Sequence, residues 1–165
     1  LLLRSSYGTY ILKLSLPKNR GIRIGQLGNY SFQSGTYLYF GSAFGPGGVA
    51  ARVRRHLGAS GNRHWHCDYL IPYSRIEAIY CSYAPTNLEC SWTQAVAQLT
   101  YASSPVPGFG ASDCKEHCRA HLVYISDLAG ITIQAKILNT LAYQTPKWPI
   151  YVQSRAGAEQ ADDHS

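Results

Sequence analysis

Residues 35–57, GTYLYFGSAFGPGGVAARVRRHL, decide how the fold is read. Thr36 to Ser42 is rich in β-branched and aromatic side chains and reads as a strand. Gly45-Pro46-Gly47-Gly48 then breaks the chain. From Val49 to Leu57 the periodicity changes: Val49, Val53 and Leu57 recur at i, i+4 and i+8, which predicts a helix. Arg52 and His56 lie four residues apart and share a flank beside that apolar stripe, whereas Arg54 points to solvent. Strand, glycine-rich loop and cationic helix in this order suit an anionic ligand. Gly41, Ser42, Gly47 and Gly48 would let backbone approach it and cradle it on free N–H groups, with Arg55 nearby. No Lys-Ser/Thr pair follows the glycines, which speaks against a nucleotide-binding P-loop.

On the N-terminal side, Tyr7 to Leu16 alternates as a strand, with Tyr10, Leu12, Leu14 and Leu16 on one face. Ile22 to Leu27 and Asn29 to Gln33 suit a short hairpin hinged at Gly28. On the C-terminal side, His64 to Ile71 and Arg75 to Tyr83 read as strands separated by Pro72. Period two would put His64, His66 and Asp68 on one face of the first of these, as the polar face of a half-buried strand or as groups that ligate metal or contact phosphate, His64 and Asp68 being better placed behind a site than as ligands. Thr86-Asn87-Leu88-Glu89 has the form of a capping box, opening a helix with Leu88, Trp92, Ala95, Val96 and Leu99 on one face. Pro105 to Ser112 is a rigid loop, and His121 to Ser126 is a strand. Residues 127–150 carry weak helical patterning, and disorder is expected from Gln153 onward. The order β-β-β-α-β-β-α-β predicts an α+β fold, a small and mostly antiparallel sheet flanked by helices. One domain is expected over residues 1–126, with residues 127–165 as a C-terminal extension.

Composition narrows the function classes. Of the 165 residues, 45% are hydrophobic, which is enough to offset chain entropy and exclude a disordered acidic or low-complexity chain. Charged residues reach 15%, against roughly 25% in ordinary soluble domains, and 13 tyrosines take up part of the polar role. No apolar run approaches the roughly 18 residues of a membrane helix, and Leu1-Leu2-Leu3 is too short for a signal-peptide core. The five cysteines make an odd count, so a full disulfide framework is not expected and a reducing, cytoplasmic setting is. Residues 1–67 hold nine Lys/Arg and no Asp or Glu, whereas residues 68–165 hold six basic and nine acidic side chains. A basic half without internal counter-charge favours an external polyanion, of which nucleic acid is the commonest.

Several residues together carry a family resemblance. Gly8-Thr9-Tyr10, Tyr39-Phe40-Gly41, and Arg52 with His56 one helical turn on resemble the GIY-YIG nuclease superfamily. The longer series YFGSA, GPGGVAARVRRHL, RHWHCDYL, LEC, PVPGFGASDC and HLVY resembles its poorly characterised bacterial and archaeal branch, over roughly residues 7–126. The resemblance implies hydrolysis of a DNA phosphodiester with one divalent ion, Mg²⁺ or Mn²⁺, in a setting such as DNA repair. It makes Tyr10 a general base or hydrogen-bonding partner of the attacking water, and Tyr39 a helper in proton transfer or phosphate positioning. Arg52 would stabilise charge on the transferring phosphate, His56 would relay a proton or orient a tyrosine, and Glu89 would bind the metal. Arg55, Arg63 and His64 would contact the nucleic acid, RNA being an alternative to DNA. The 28 residues between Tyr10 and Tyr39 imply an inserted hairpin.

Duller accounts exist for each residue. Either tyrosine would serve as sheet packing, Arg52 and His56 as a solvated flank, and Glu89 as a helix cap. A silent nucleic-acid-binding module of the same fold is therefore the first rival. Cys114-x₃-Cys118-x₂-His121 adds a further motif, with Cys90 and His117 as additional donors. It lacks a CxxC pair, so buried free thiols are its first account. A structural zinc at Cys90, Cys114, Cys118 and His121, in a partner-binding domain, is the alternative.

Overall fold

The computed structural model describes residues 2–58, 62–126 and 131–155. Strand β1 (Gly8–Leu16) is followed by β2 (Arg20–Ile24), β3 (Gly28–Phe32) and β4 (Gly35–Ala43). Helix α1 (Gly48–Leu57), the short α2 (Cys67–Leu70) and β5 (Arg75–Ser82) come next. Helix α3 (Glu89–Ala97), β6 (Ala102–Ser103), β7 (Leu122–Ile125), α4 (Ile131–Gln144) and β8 (Tyr151–Ser154) complete the described chain. Six strands form one antiparallel sheet in the order β6-β7-β4-β1-β5-β8, and β2 and β3 pair as a separate ribbon. This is the α+β architecture expected.

Period two in the strands sorts the core into two halves, one on each face of the sheet. Tyr10, Leu12, Leu14 and Leu16 of β1 join Tyr37 and Tyr39 of β4 and meet Val49 and Val53 of α1 and the β2–β3 ribbon. On the opposite face Ile11, Leu38, Phe40 and Tyr80 meet Trp92 and Val96 of α3 and Ile137 and Leu141 of α4. Each fully buried aliphatic side chain contributes about 1.5–3 kcal/mol, so the central strands are held from both sides. The ribbon is the inserted hairpin that the long spacing between Tyr10 and Tyr39 implied. It leaves β1 and β4 free to pair directly, with Tyr10 opposite Gly41 and Leu12 opposite Tyr39.

Two expectations are corrected. His64 to Ile71 is not a strand: its end is α2, and a 3₁₀ turn, Ile71–Tyr73, follows. The Asp68 carboxylate accepts the backbone N–H groups of His64 and Trp65 at 2.8 and 2.9 Å and closes a turn, removing those donors from any ladder. Nor is the chain without structure from Gln153, because Gln153 and Ser154 lie in β8, which pairs with β5. Residues 156–165, where disorder was also expected, lie outside the described residues. The weak helical pattern beyond residue 127 becomes α4, secured to α3 where Trp92 Nε1 donates to Thr145 Oγ1 at 2.7 Å. Among the described residues no helix is long and apolar enough to cross a membrane.

Candidate functional site

Tyr10 and Tyr39 are anchored by neighbouring strands, so the pleat fixes both rings on the face that α1 covers. Helix α1 buries His56 completely between them and leaves Arg52, one turn earlier, at the rim. The Tyr10 hydroxyl and His56 Nε2 are 2.8 Å apart. The edge of the His56 ring meets Tyr39 with centroids 5.6 Å apart. Behind the imidazole, Nδ1 faces Asp68 Oδ1 at 3.4 Å, and neither atom has another partner. Burial alone would raise the Asp68 pKa, but His56 and the N–H groups of Trp65 and His64 outweigh it and hold the carboxyl below its ordinary value. A charged Asp68 can only accept, so it sets the imidazole proton on Nδ1 and leaves Nε2 to accept from Tyr10. Asp68 is thus the group behind His56. The reason is the turn it closes, not the strand alternation first read for it.

Gly41 makes room for this arrangement. A Cβ there would stand 2.8 Å from Cε1 of Tyr10, and closer to Cζ and the hydroxyl. Gly41→Ala is expected to push the Tyr10 ring off His56 and to cost about 1–3 kcal/mol of stability in urea titration. A variant with wild-type stability would contradict that packing.

Burial drives the Tyr10 phenol pKa well above its ordinary value, with Cys67 adding to the rise and Arg52 opposing it. Burial likewise raises Tyr39, with Tyr10 adding to it. Both phenols are therefore neutral donors and acceptors rather than standing phenolates.

A cleft of about 660 Å³ opens over this layer. Tyr10, Tyr39, Gly41, Ser42, Arg52 and Glu89 all line it. Glu89 arrives there because the start of α3 is pinned to the sheet, with the Leu88 N–H donating to Thr9 Oγ1 at 2.9 Å. The expected capping box does not form: Asn87 Oδ1 accepts the Glu89 N–H at 2.9 Å, and the Glu89 carboxylate turns to His121 instead, 3.1 Å from Nδ1. Burial alone would lower His121, but Glu89 first, then Cys118 and Cys114, bring its pKa up to about 9.

Other expected residues fall differently. The first N–H groups of α1 do not face a ligand: those of Val49 and Ala50 donate to Ser6 and Arg4 carbonyls at 3.0 and 3.1 Å. Gly47 and Gly48 take positive φ of 80° and 58°, and the missing Cβ of Gly48 admits the Ser6 backbone. Gly48 thus seats the N-terminal segment, a Cβ at Gly47 would meet that of Ala51, and the N–H groups of Gly48, Val49 and Ala50 are already taken rather than free for the anion expected there. Arg55 stands over the Trp65 ring at 4.2 Å, with Arg52 over the same ring at 4.8 Å. Arg63 lies over Tyr69 at 5.0 Å, and His64 meets Trp65 edge-on at 5.4 Å. Neither Arg63 nor His64 lines the cleft. Trp65, Asp113 and Glu116 do, and no sequence pattern singled them out.

Beside Glu89, Cys90, Cys114, Cys118 and His121 bring their donor atoms within 4.8 Å of one another. Sγ of Cys90 lies 3.5 Å from Sγ of Cys114 and 3.7 Å from Nε2 of His121. Three thiols and an imidazole gathered in this way could hold a metal ion such as zinc. The account of the same residues as separate buried thiols is therefore corrected: Cys90, Cys114 and Cys118 are only half-buried and they converge.

The sequence model of the family described as "Domain of unknown function DUF123" matches residues 9–142. The chain belongs to this family. No curated protein and no solved structure matches it. The match takes in every residue of the cleft and of the cysteine cluster, and it extends through most of α4.

Proposed function

We propose that this member of the family is a metal-dependent endonuclease of the GIY-YIG type, hydrolysing phosphodiesters of DNA. What supports the reading is the single cleft that Tyr10, Tyr39, Arg52 and Glu89 share, with His56 directly behind Tyr10. Phosphodiester hydrolysis needs an activated water, a cation at the phosphate and a route for the proton, and these groups supply each. Arg52, held against Trp65, presents a guanidinium fork to two phosphate oxygens. Tyr10 takes the proton of the attacking water while its own passes to His56 Nε2, and the resulting imidazolium is balanced by Asp68. The oxygen of that water bonds to phosphorus, the ester P–O bond breaks, and the leaving oxygen takes a proton from solvent. Tyr39, also on the wall, positions the phosphate through its hydroxyl.

The donor set also fits the divalent ion that such chemistry uses. Mg²⁺ or Mn²⁺ takes one or two carboxylates and keeps several waters, and Glu89 lines an open cleft with Asp113 and Glu116 nearby. Bound at Glu89, the ion would neutralise charge developing on the phosphate.

The Glu89 contact with His121 favours a second reading, in which the carboxylate is committed to the cysteine cluster and the cleft binds nucleic acid without cutting it. Incubation of the purified chain with supercoiled plasmid and Mg²⁺ separates the two. Nicking that stops on chelation of Mg²⁺ is expected. Binding that weakens steeply with salt, without nicking at any Mg²⁺ or Mn²⁺ concentration, would establish the silent module instead.

A further inference from the structure

We infer that Cys90, Cys114, Cys118 and His121 form a closed zinc site whose histidine is braced through its second ring nitrogen by Glu89. With Zn–S near 2.3 Å and Zn–N near 2.0–2.1 Å, the donors of a tetrahedral site lie roughly 3.5–3.8 Å apart. The 3.5 Å between Cys90 and Cys114 and the 3.7 Å between Cys90 and His121 fall at those separations, and all four donor atoms lie within 4.8 Å of one another. Three of the donors come from one short segment, and the fold brings Cys90 to them from 24 residues away. Cys90 is the second residue of α3, Cys114 and Cys118 lie in the loop before β7, and His121 immediately precedes that strand.

The fold spends several features on holding them there. His117, the one non-glycine with positive φ among the described residues, reverses the chain at φ 54° between Cys114 and Cys118. The side-chain amide of Gln94 donates to Cys118 Sγ at 3.5 Å. His121 is fixed by its own backbone, its N–H donating to the Phe109 carbonyl at 2.7 Å and its carbonyl accepting from Phe40 at 2.9 Å. N–H groups aimed at sulfur stabilise thiolates, and thiolates are what zinc binds. Soft sulfur donors exclude Mg²⁺ from this position, and four protein ligands leave zinc no open coordination place, so the ion is structural.

The inference also assigns Glu89. With Nε2 on the metal side, Nδ1 of His121 carries the proton and faces the Glu89 carboxylate, 3.1 Å away. This carboxylate–histidine–metal arrangement fixes the ring and the acid together. Where Glu89 serves the proposed nuclease, which this last step alone takes from that reading, the zinc site aims its carboxylate into the cleft.

The full chain, purified without chelator, is expected to carry one equivalent of zinc by elemental analysis. Exchange for Co²⁺ should give thiolate-to-metal charge-transfer and tetrahedral d–d absorption. Cys118→Ser is expected to lose the stoichiometric metal, and Glu89→Gln to keep it with about tenfold to hundredfold weaker affinity in a chelator competition. If Cys118→Ser fails to fold, the cobalt spectrum of the unmodified chain decides by itself. Absence of thiolate charge transfer, or recovery of a Cys90–Cys114 disulfide with no bound metal, would overturn the site. Unchanged zinc affinity in Glu89→Gln would overturn the bracing by Glu89. None of these readings involves nucleic acid, so they fail separately from the nuclease proposal.

Discussion

Arg52→Ala is expected to slow plasmid cleavage by about 10²–10³-fold, some 2.7–4 kcal/mol of transition-state stabilisation, while leaving the fold intact. The size follows from where Arg52 sits. It is the only Lys or Arg of α1 that lines the cleft, which it shares with Tyr10 and Glu89, whereas Arg54 and Arg55 are exposed. Negative charge that grows on the phosphate during attack would meet the planar fork of Arg52, and Lys115, which also lines the cleft, offers a point charge without that fork. Stability should change by only about 0.5–1 kcal/mol, the worth of an exposed stack on an aromatic ring such as that on Trp65. Arg52→Lys keeps the charge but not the planar fork, so it should recover little of the rate. Single-turnover cleavage with saturating DNA reads the effect on the chemical step directly. Arg55→Ala provides the contrast: it should weaken binding and flatten the salt dependence without a comparable loss of rate. Equal rates for Arg52→Ala and the unaltered chain would remove the hydrolytic assignment.

The parts of this site that sequence made legible are those set by regular periodicity. Alternation in 7–16 and 36–42 puts Tyr10 and Tyr39 on one face, and the i, i+4 spacing of Arg52 and His56 turns both toward them. The convergence of Glu89 was legible only through the family resemblance, and its local setting was misread. Thr86-x-x-Glu89 has the spacing of a capping box, yet a long-range donor–acceptor pair, Leu88 N–H to Thr9 Oγ1, fixes the helix start and releases the Glu89 side chain. Alternation also misled in 64–71. A buried carboxylate that takes two backbone N–H groups outweighs a weak polar/apolar rhythm, because an unpaired charge there would cost more than a lost strand ladder. Strand β8 escaped notice for the opposite reason. Its side chains are largely exposed, so no hydrophobic rhythm marks it, and its order comes from pairing with the edge of β5. Gly48 was read by chemistry and turns out to serve packing against the Ser6 backbone. Free N–H groups at a helix start attract any acceptor, and here the acceptors are the carbonyls of Arg4 and Ser6.

Asp68→Asn should lower cleavage by about 10²–10⁴-fold in a chain that still folds. Asparagine retains one carbonyl oxygen for the N–H groups of His64 and Trp65, so the turn survives. What changes is the atom facing His56 Nδ1. An amide NH₂ placed there donates, which forces the imidazole proton to Nε2 and makes Tyr10 an acceptor. The phenol can then no longer pass its proton inward, and with its pKa raised by burial it cannot serve as a phenolate either. Asp68→Ala removes the acceptor altogether and strands two backbone donors and a buried imidazole, at a cost of about 3 kcal/mol or more in denaturant unfolding. The pH dependence carries the same signature. Because the native Asp68 pKa lies below its ordinary value of 3.8, its contribution to stability is complete above that value and is lost as the pH falls through the lowered native one. The unaltered chain should therefore lose stability in that acid range more steeply than Asp68→Asn does. A rate for Asp68→Asn equal to that of the unaltered chain, with the same acid unfolding profile, would show that His56 needs no fixed tautomer and that Tyr10 is no more than packing.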